Sequence, residues 1–215
     1  MKTEQGQART RKAPYFWGRI AATAGVIALA VLLAPSERTL GANLGIILLH
    51  GAWVWAGLIF FALGALAGLA GLLAAAFKKT TAGRLVRNSE ALTWTGMGFW
   101  LSYLPMSLWV MKVNWGGFFF DEPRWRIPFT FAVVGVLLQI GLILINRPVF
   151  TLLANLCFGT ALWVSLFASQ TILHPESPVV RSGELRIQVF YGLLLGTALL
   201  LGGQAAWALI CRNSS

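Results

Sequence analysis

The sequence predicts an all-α integral membrane protein, a single polytopic domain over residues 1–215 with six transmembrane helices and both termini cytoplasmic. Three observations lead to that fold class. Only 11% of the residues are charged and 57% are hydrophobic, whereas a soluble domain carries about a quarter charged residues. Too little polar surface is left to face water. Apolar runs approaching the ~20 residues needed to cross a bilayer recur six times along the chain. The basic residues gather in alternate gaps between those runs, as membrane topology requires.

The runs fall at residues 16–34, 52–77, 92–111, 127–145, 149–171 and 187–210. The first carries Arg19 near its start, where a long side chain snorkels to the headgroups. A basic leader and an apolar core also describe a secretory signal. No small-x-small cleavage site follows, since Leu33, Ala34 and Pro35 come next, so the run is expected to stay attached. Residues 40–49 are semi-apolar and are expected to lie along the interface ahead of the second run. The second and sixth runs carry Gly64-x-x-x-Gly68 and Gly192-x-x-x-Gly196, patterns that let helix backbones approach closely. Pro105 is expected to kink the third run, with neighbouring helices covering the freed carbonyl. Cys157 and Cys211 lie far apart in apolar sequence and are expected to be small packing residues rather than ligands.

Orientation follows from charge. The N-terminus, the 78–91 loop, the 146–148 turn and the C-terminus share one side and hold eleven of the seventeen Lys and Arg, against the acids Glu4 and Glu90. The other side has six basic and five acidic residues. The basic side is therefore expected in the cytoplasm. The net charge of +10 is thus a topology signal and implies no nucleic-acid partner.

The scarce residues gather on the outer side. The chain has two histidines: His50 precedes the second run, and His174 opens the last outer loop. Between them lies the 114–126 segment, N-W-G-G-F-F-F-D-E-P-R-W-R. Its Trp115, Phe118, Phe119, Phe120 and Trp125 are costly in water, and Trp53, Trp55 and Trp109 fall at nearby depth. An ordinary interfacial belt favours Trp and Tyr; a Phe-rich platform flanked by arginines suits a flat amphiphilic ligand. Arg124, Arg126 or Arg181 would pair with its acidic groups. A porphyrin with two propionates has that shape, and haem iron accepts axial imidazoles. His50 and His174 are the candidate axial ligands, one on each face of the macrocycle.

These residues resemble the haem-handling protein C of the cytochrome c maturation system (the CcmC family), which has six spans, an outer tryptophan-rich segment between spans three and four, and a histidine in each flanking outer loop. The family's segment runs approximately W-G-x-W-W-x-W-D-x-R. Trp115, Gly116 and Arg124 coincide with it here, and Phe118 and Phe119 fall at aromatic positions. Asp121 stands for the last tryptophan and Glu122 for the aspartate. The family's H-x-P-x-A-W appears as His50-Gly-Ala-Trp-Val-Trp55, without the proline, and its L-H motif as Leu173-His174. The resemblance implies a location in the cytoplasmic (inner) membrane, with the outer side periplasmic. It also implies a subunit that binds haem b transiently and works with ATP-binding-cassette transporter subunits and a membrane-anchored haem chaperone. It implies a platform of Trp115, Gly116, Phe118, Phe119 and Phe120, with Trp55 and Trp125 beside it. Arg124 is the leading propionate partner, while Asp121 and Glu122 shape the loop, face a partner or form a solvated acidic pair.

Three other readings compete. A single-haem electron-transfer subunit would use the same two histidines. A haem ligase of the related synthetase type would need a longer chain and more histidines. A structural transporter subunit without haem would use the aromatics only as an anchor. No nucleotide-binding motif, metal cluster or activated nucleophile is apparent in the sequence, so a non-enzyme is expected.

Overall fold

The computed structural model describes residues 2–36, 41, 43–169 and 183–212, with side chains from residue 16 onward. Among the described residues lie six helices: α1 (Lys2–Leu32), α2 (Leu44–Ala76), α3 (Ala82–Trp115), α4 (Pro123–Ile145), α5 (Pro148–Ala168) and α6 (Leu185–Arg212). No strand occurs among the described residues. Each helix takes in or overlaps one apolar run of the sequence.

Four of them, α2, α4, α5 and α6, are long and apolar enough to cross a membrane. They leave large side chains such as Leu137, Ile143, Leu144, Phe150 and Val189 exposed, a surface that water would not tolerate over so wide an area. The chain is a multi-pass membrane protein. The apolar part of α1, Phe16–Leu32, is shorter. Helix α3 falls outside that group for a different reason. It packs against α2, α4, α5 and α6, and its Ser89, Thr93, Thr95 and Ser107 are buried within the bundle. These polar residues lower its hydropathy, while Leu101 and Trp109 remain exposed on its other side.

Helix α2 is the common member of three apolar clusters. Leu58 and Phe61 pack with Met97, Trp100, Tyr103, Phe158 and Leu162 of α3 and α5. Leu44, Leu48 and Ala52 meet Ile27 of α1 and Ile187 and Leu194 of α6. Ala56 and Phe60 meet Phe99 of α3 and Ala198 and Ala206 of α6. Its glycines set the spacing. A Cβ on Gly64 would lie 2.5 Å from Thr93 Oγ1, and one on Gly68 would lie 2.7 Å from the backbone oxygen of Leu152. The Gly64-x-x-x-Gly68 pattern therefore admits α3 on one side and α5 on the other. Gly192 and Gly196 meet nothing within 4 Å, so the second pattern marks no contact among the described residues. On α6 the close approach is at Gly202, which lies against Phe60 and Phe99.

A chain of buried polar groups stitches four helices together. Gln139 Nε2 of α4 donates to Asn155 Oδ1 of α5 at 3.0 Å, and Asn155 Nδ2 donates to Ser89 Oγ of α3 at 3.1 Å. Ser89 Oγ donates onward to the Gly64 carbonyl of α2 at 2.9 Å. In lipid no water stands ready to replace a lost partner, so such a chain is satisfied as a whole or not at all.

The helix ends follow local chemistry. Gly116 closes α3 in the left-handed conformation, φ 73°, with its N–H donating to the Lys112 carbonyl. Asn146 (φ 48°) ends α4, and Pro148 starts α5 two residues later. Helix α2 begins at Leu44, so most of the stretch expected along the interface is instead its first turns. His50 consequently sits inside a helix and not in a loop ahead of one. Pro105 lies within α3 on its exposed side. Cys157 and Cys211 are exposed on the helix surfaces rather than packed inside, contrary to expectation.

Replacing Gly64 by Leu is expected to abolish a folded, monodisperse protein in detergent, because the incoming side chain meets α3 directly. The same change at Gly192 should leave the melting temperature nearly unchanged. Asn155→Ala, which breaks two links of the polar chain at once, is expected to cost about 1–2 kcal/mol, read by thermal denaturation in detergent.

Candidate functional site

One end of the bundle holds a cleft framed by α2, α3, the start of α4 and the end of α5. From α2 come His50, Val54, Trp55 and Leu58, spaced to share one helical face. From α3 come Trp100, Tyr103, Ser107, Val110 and Met111 on another. Trp115 closes the end of α3, Glu122, Arg124, Trp125 and Pro128 come from the start of α4, and Leu166 and Phe167 from the end of α5. The enclosed volume is about 140 Å³.

The floor of the cleft is rigid for a specific reason. Pro128 has no N–H, so the Arg124 carbonyl one turn earlier cannot make its helical bond. Tyr103 Oη donates to that carbonyl at 3.3 Å, and Trp100 Nε1 donates to the Pro128 carbonyl at 3.0 Å. Two buried aromatics of α3 thereby hold the first turns of α4 in place. The His50 ring leans on Tyr103, with centroids 5.2 Å apart and planes at 43°. His50 is 8% exposed, the only histidine among the described residues, and stands in the cleft wall.

The predicted site residues divide into two groups. His50, Trp55, Trp115, Arg124 and Trp125 converge on the cleft. Phe118, Phe119 and Phe120 do not line it. They form an exposed cap on the α3–α4 connection, where Phe118 stacks on Phe120 with centroids 6.1 Å apart and Lys112 Nζ lies 5.8 Å from the Phe118 ring centroid. Phe120 touches Trp125 and so joins the cap to the cleft wall. Gly116 supplies the turn between them. Arg126 is exposed and is absent from the lining. His174 and Arg181 lie outside the described residues.

Of the alternatives held open for Glu122, a solvated acid does not hold and a loop-shaping residue does. It is 3% exposed and lines the cleft. Its carbonyl accepts the Trp125 and Arg126 N–H groups, so it starts α4 as the residue before Pro123. Asp121, beside it, is exposed. Trp100, Tyr103 and Ser107 were missed as site residues. Their i, i+3, i+7 spacing in the third run was the available signal, since it puts an indole, a phenol and a hydroxyl on one face of a helix otherwise read only for length.

Chemically, the arrangement offers one imidazole, four indoles, a buried carboxylate and a rim guanidinium around an open cleft. It can hold the edge of a flat aromatic ligand and pair with an acidic group at the rim. No family model matches the chain, and neither a curated protein nor a solved structure does.

Tyr103→Phe removes the hydroxyl that satisfies the freed Arg124 carbonyl. The expected loss of stability is about 1 kcal/mol. Hydrogen exchange should show reduced protection across the first two turns of α4 and unchanged protection in α5.

Proposed function

We propose that the protein binds haem in this cleft and passes it on, as a non-enzymatic subunit of a haem-handling complex in cytochrome c maturation. The single observation that carries the reading is the placement of His50, buried in a wall of indoles with an arginine at the rim. Imidazole is the axial donor that haem iron takes, aromatic faces suit the macrocycle, and guanidinium suits a propionate. The residues present therefore fit the cargo. About 140 Å³ is less than the roughly 300–1,000 Å³ of pockets that engulf a drug-sized ligand. A porphyrin seated at His50 would stand partly outside the cleft, as suits a cargo that must be released.

In this reading all six helices span the membrane, both termini are cytoplasmic, and the cleft opens on the periplasmic side of the inner membrane. The eleven basic residues on one side support that orientation. His174 is the proposed second axial ligand and Arg124 the propionate partner, with Arg126 and Arg181 in supporting positions. Trp115, Trp125 and Trp55 form the platform, and Gly116 with Phe118, Phe119 and Phe120 forms the cap beside it. The partners are ATP-binding-cassette subunits and a membrane-anchored haem chaperone, for which the exposed cap is an available docking point.

Titration of the purified protein with hemin in detergent tests the reading. Wild type is expected to develop a shifted Soret band. His50→Ala should weaken binding by at least about tenfold and alter the band, and Arg124→Ala should weaken it several-fold without altering the band. Phe118→Ala should stay within about twofold, as a contact outside the cleft does. Equal binding and identical spectra for wild type and His50→Ala would contradict the assignment.

A further inference from the structure

The cleft has two unlike ends. At the start of α4 its rim is charged, with Arg124 exposed and Glu122 buried beside it. At the α2–α5 side its edge is aromatic, formed by Trp55 and Phe167, whose ring centroids are 6.4 Å apart at 61°. Trp163 stands behind them, stacked on Phe167 at 5.1 Å and anchored by its Nε1 donating to the Leu58 carbonyl at 3.1 Å. Trp55 is 40% exposed and Phe167 62% exposed, so this edge reaches the outer surface of the bundle.

Depth decides what that surface faces. Helix α2 has 33 residues, which at 1.5 Å per residue is about 50 Å, whereas the hydrocarbon core is about 30 Å thick. Centred on the helix, the core covers roughly its middle twenty residues, which puts His50 at the boundary and Trp55 about 7.5 Å deeper. Both α2 and α5 are among the helices long and apolar enough to cross the membrane. The 21-residue α5 is about 32 Å long, so centring it likewise puts Phe167, next to its end, at the boundary. The aromatic edge runs from there down to Trp55, whose exposed ring meets acyl chains.

We infer that the cleft loads sideways from the bilayer, between α2 and α5 and past Trp55 and Phe167, by a planar amphiphile already dissolved in the leaflet. The ligand enters apolar edge first along the aromatic wall and leaves its acidic edge at Arg124. The inference rests on the haem reading for the ligand's identity, but the route follows from the wall itself. A mouth of this kind spares an apolar cargo a passage through water, where planar macrocycles aggregate.

The route is tested by closing the mouth. Trp55→Cys and Phe167→Cys are combined with Cys157→Ser and Cys211→Ser, so that a short bismaleimide bridges only the mouth. The protein is placed in lipid nanodiscs, and Soret development is followed after hemin is added to the disc lipids. The same variant is compared before and after bridging, each rate taken relative to that variant's own equilibrium hemin uptake. The loss of Trp55 from the platform then cancels. Bridging is expected to slow loading at least tenfold, while hemin loaded before bridging keeps its Soret band, which shows that the site survives the bridge. An unchanged loading rate with the bridge in place overturns the lateral route and points to entry from water. Failure of wild type itself to take up hemin, in nanodiscs and in detergent alike, overturns the haem reading and the inference with it.

Discussion

The close pairing of α2 with α3 is the constraint on which the rest of the molecule depends. Gly57 lies against Trp100 and Phe99, Gly64 against Thr93, and Gly96 against Phe61, so each helix supplies the gap that the other fills. Lipid tails are as apolar as leucine side chains, so burial alone does not drive such helices together. Close van der Waals packing and the Ser89 hydroxyl donating to the Gly64 carbonyl take that role. Every other helix then packs on one or both members of the pair. The polar chain through Asn155 and Gln139 extends the pairing to α5 and α4.

The candidate site is the far end of the same pairing. His50 belongs to α2 and Tyr103 to α3, and their rings meet only because the two helices run side by side along most of their length. The proline at 128 then converts a local defect into an anchor. It frees a carbonyl that Tyr103 takes up, and Trp100 secures the next turn. The cleft wall is thus held by hydrogen bonds to backbone atoms. Its shape is fixed by buried groups, and the exposed cap meets it through Phe120 against Trp125 and Phe119 against Trp115.

Much of this was legible in the sequence. Each of the six apolar runs meets a helix, four of them long and apolar enough to cross a membrane, and the 146–148 turn was placed where the chain makes it. His50, Trp55, Trp115, Arg124 and Trp125 were singled out and do share a cleft. Other features were hidden for physical reasons. The helical nature of the stretch before His50 was obscured by its glycines, because α2 tolerates Gly45 against the Val31 carbonyl. Small-residue spacing alone did not separate the realised contact at Gly64 from the open one at Gly192, since both helices carry the same motif and only the partner surface differs. For Glu122 the sequence left a loop-shaping, partner-facing or solvated acid open, because a carboxylate in a charged loop is usually solvated. In the structure it is buried at the cleft, where it starts α4. Trp100 and Tyr103 were not singled out, and their task became visible once Pro128 stood opposite them.

The central claim is that the cleft at His50 is where a planar macrocycle binds. The most direct measurement is an experimental structure of the hemin-loaded protein in nanodiscs. The account predicts density for the macrocycle against His50, Trp115 and Trp125, with an acidic edge within hydrogen-bonding reach of Arg124. Density lodged elsewhere on the bundle, with the His50 cleft empty and its side chains unmoved, would contradict it.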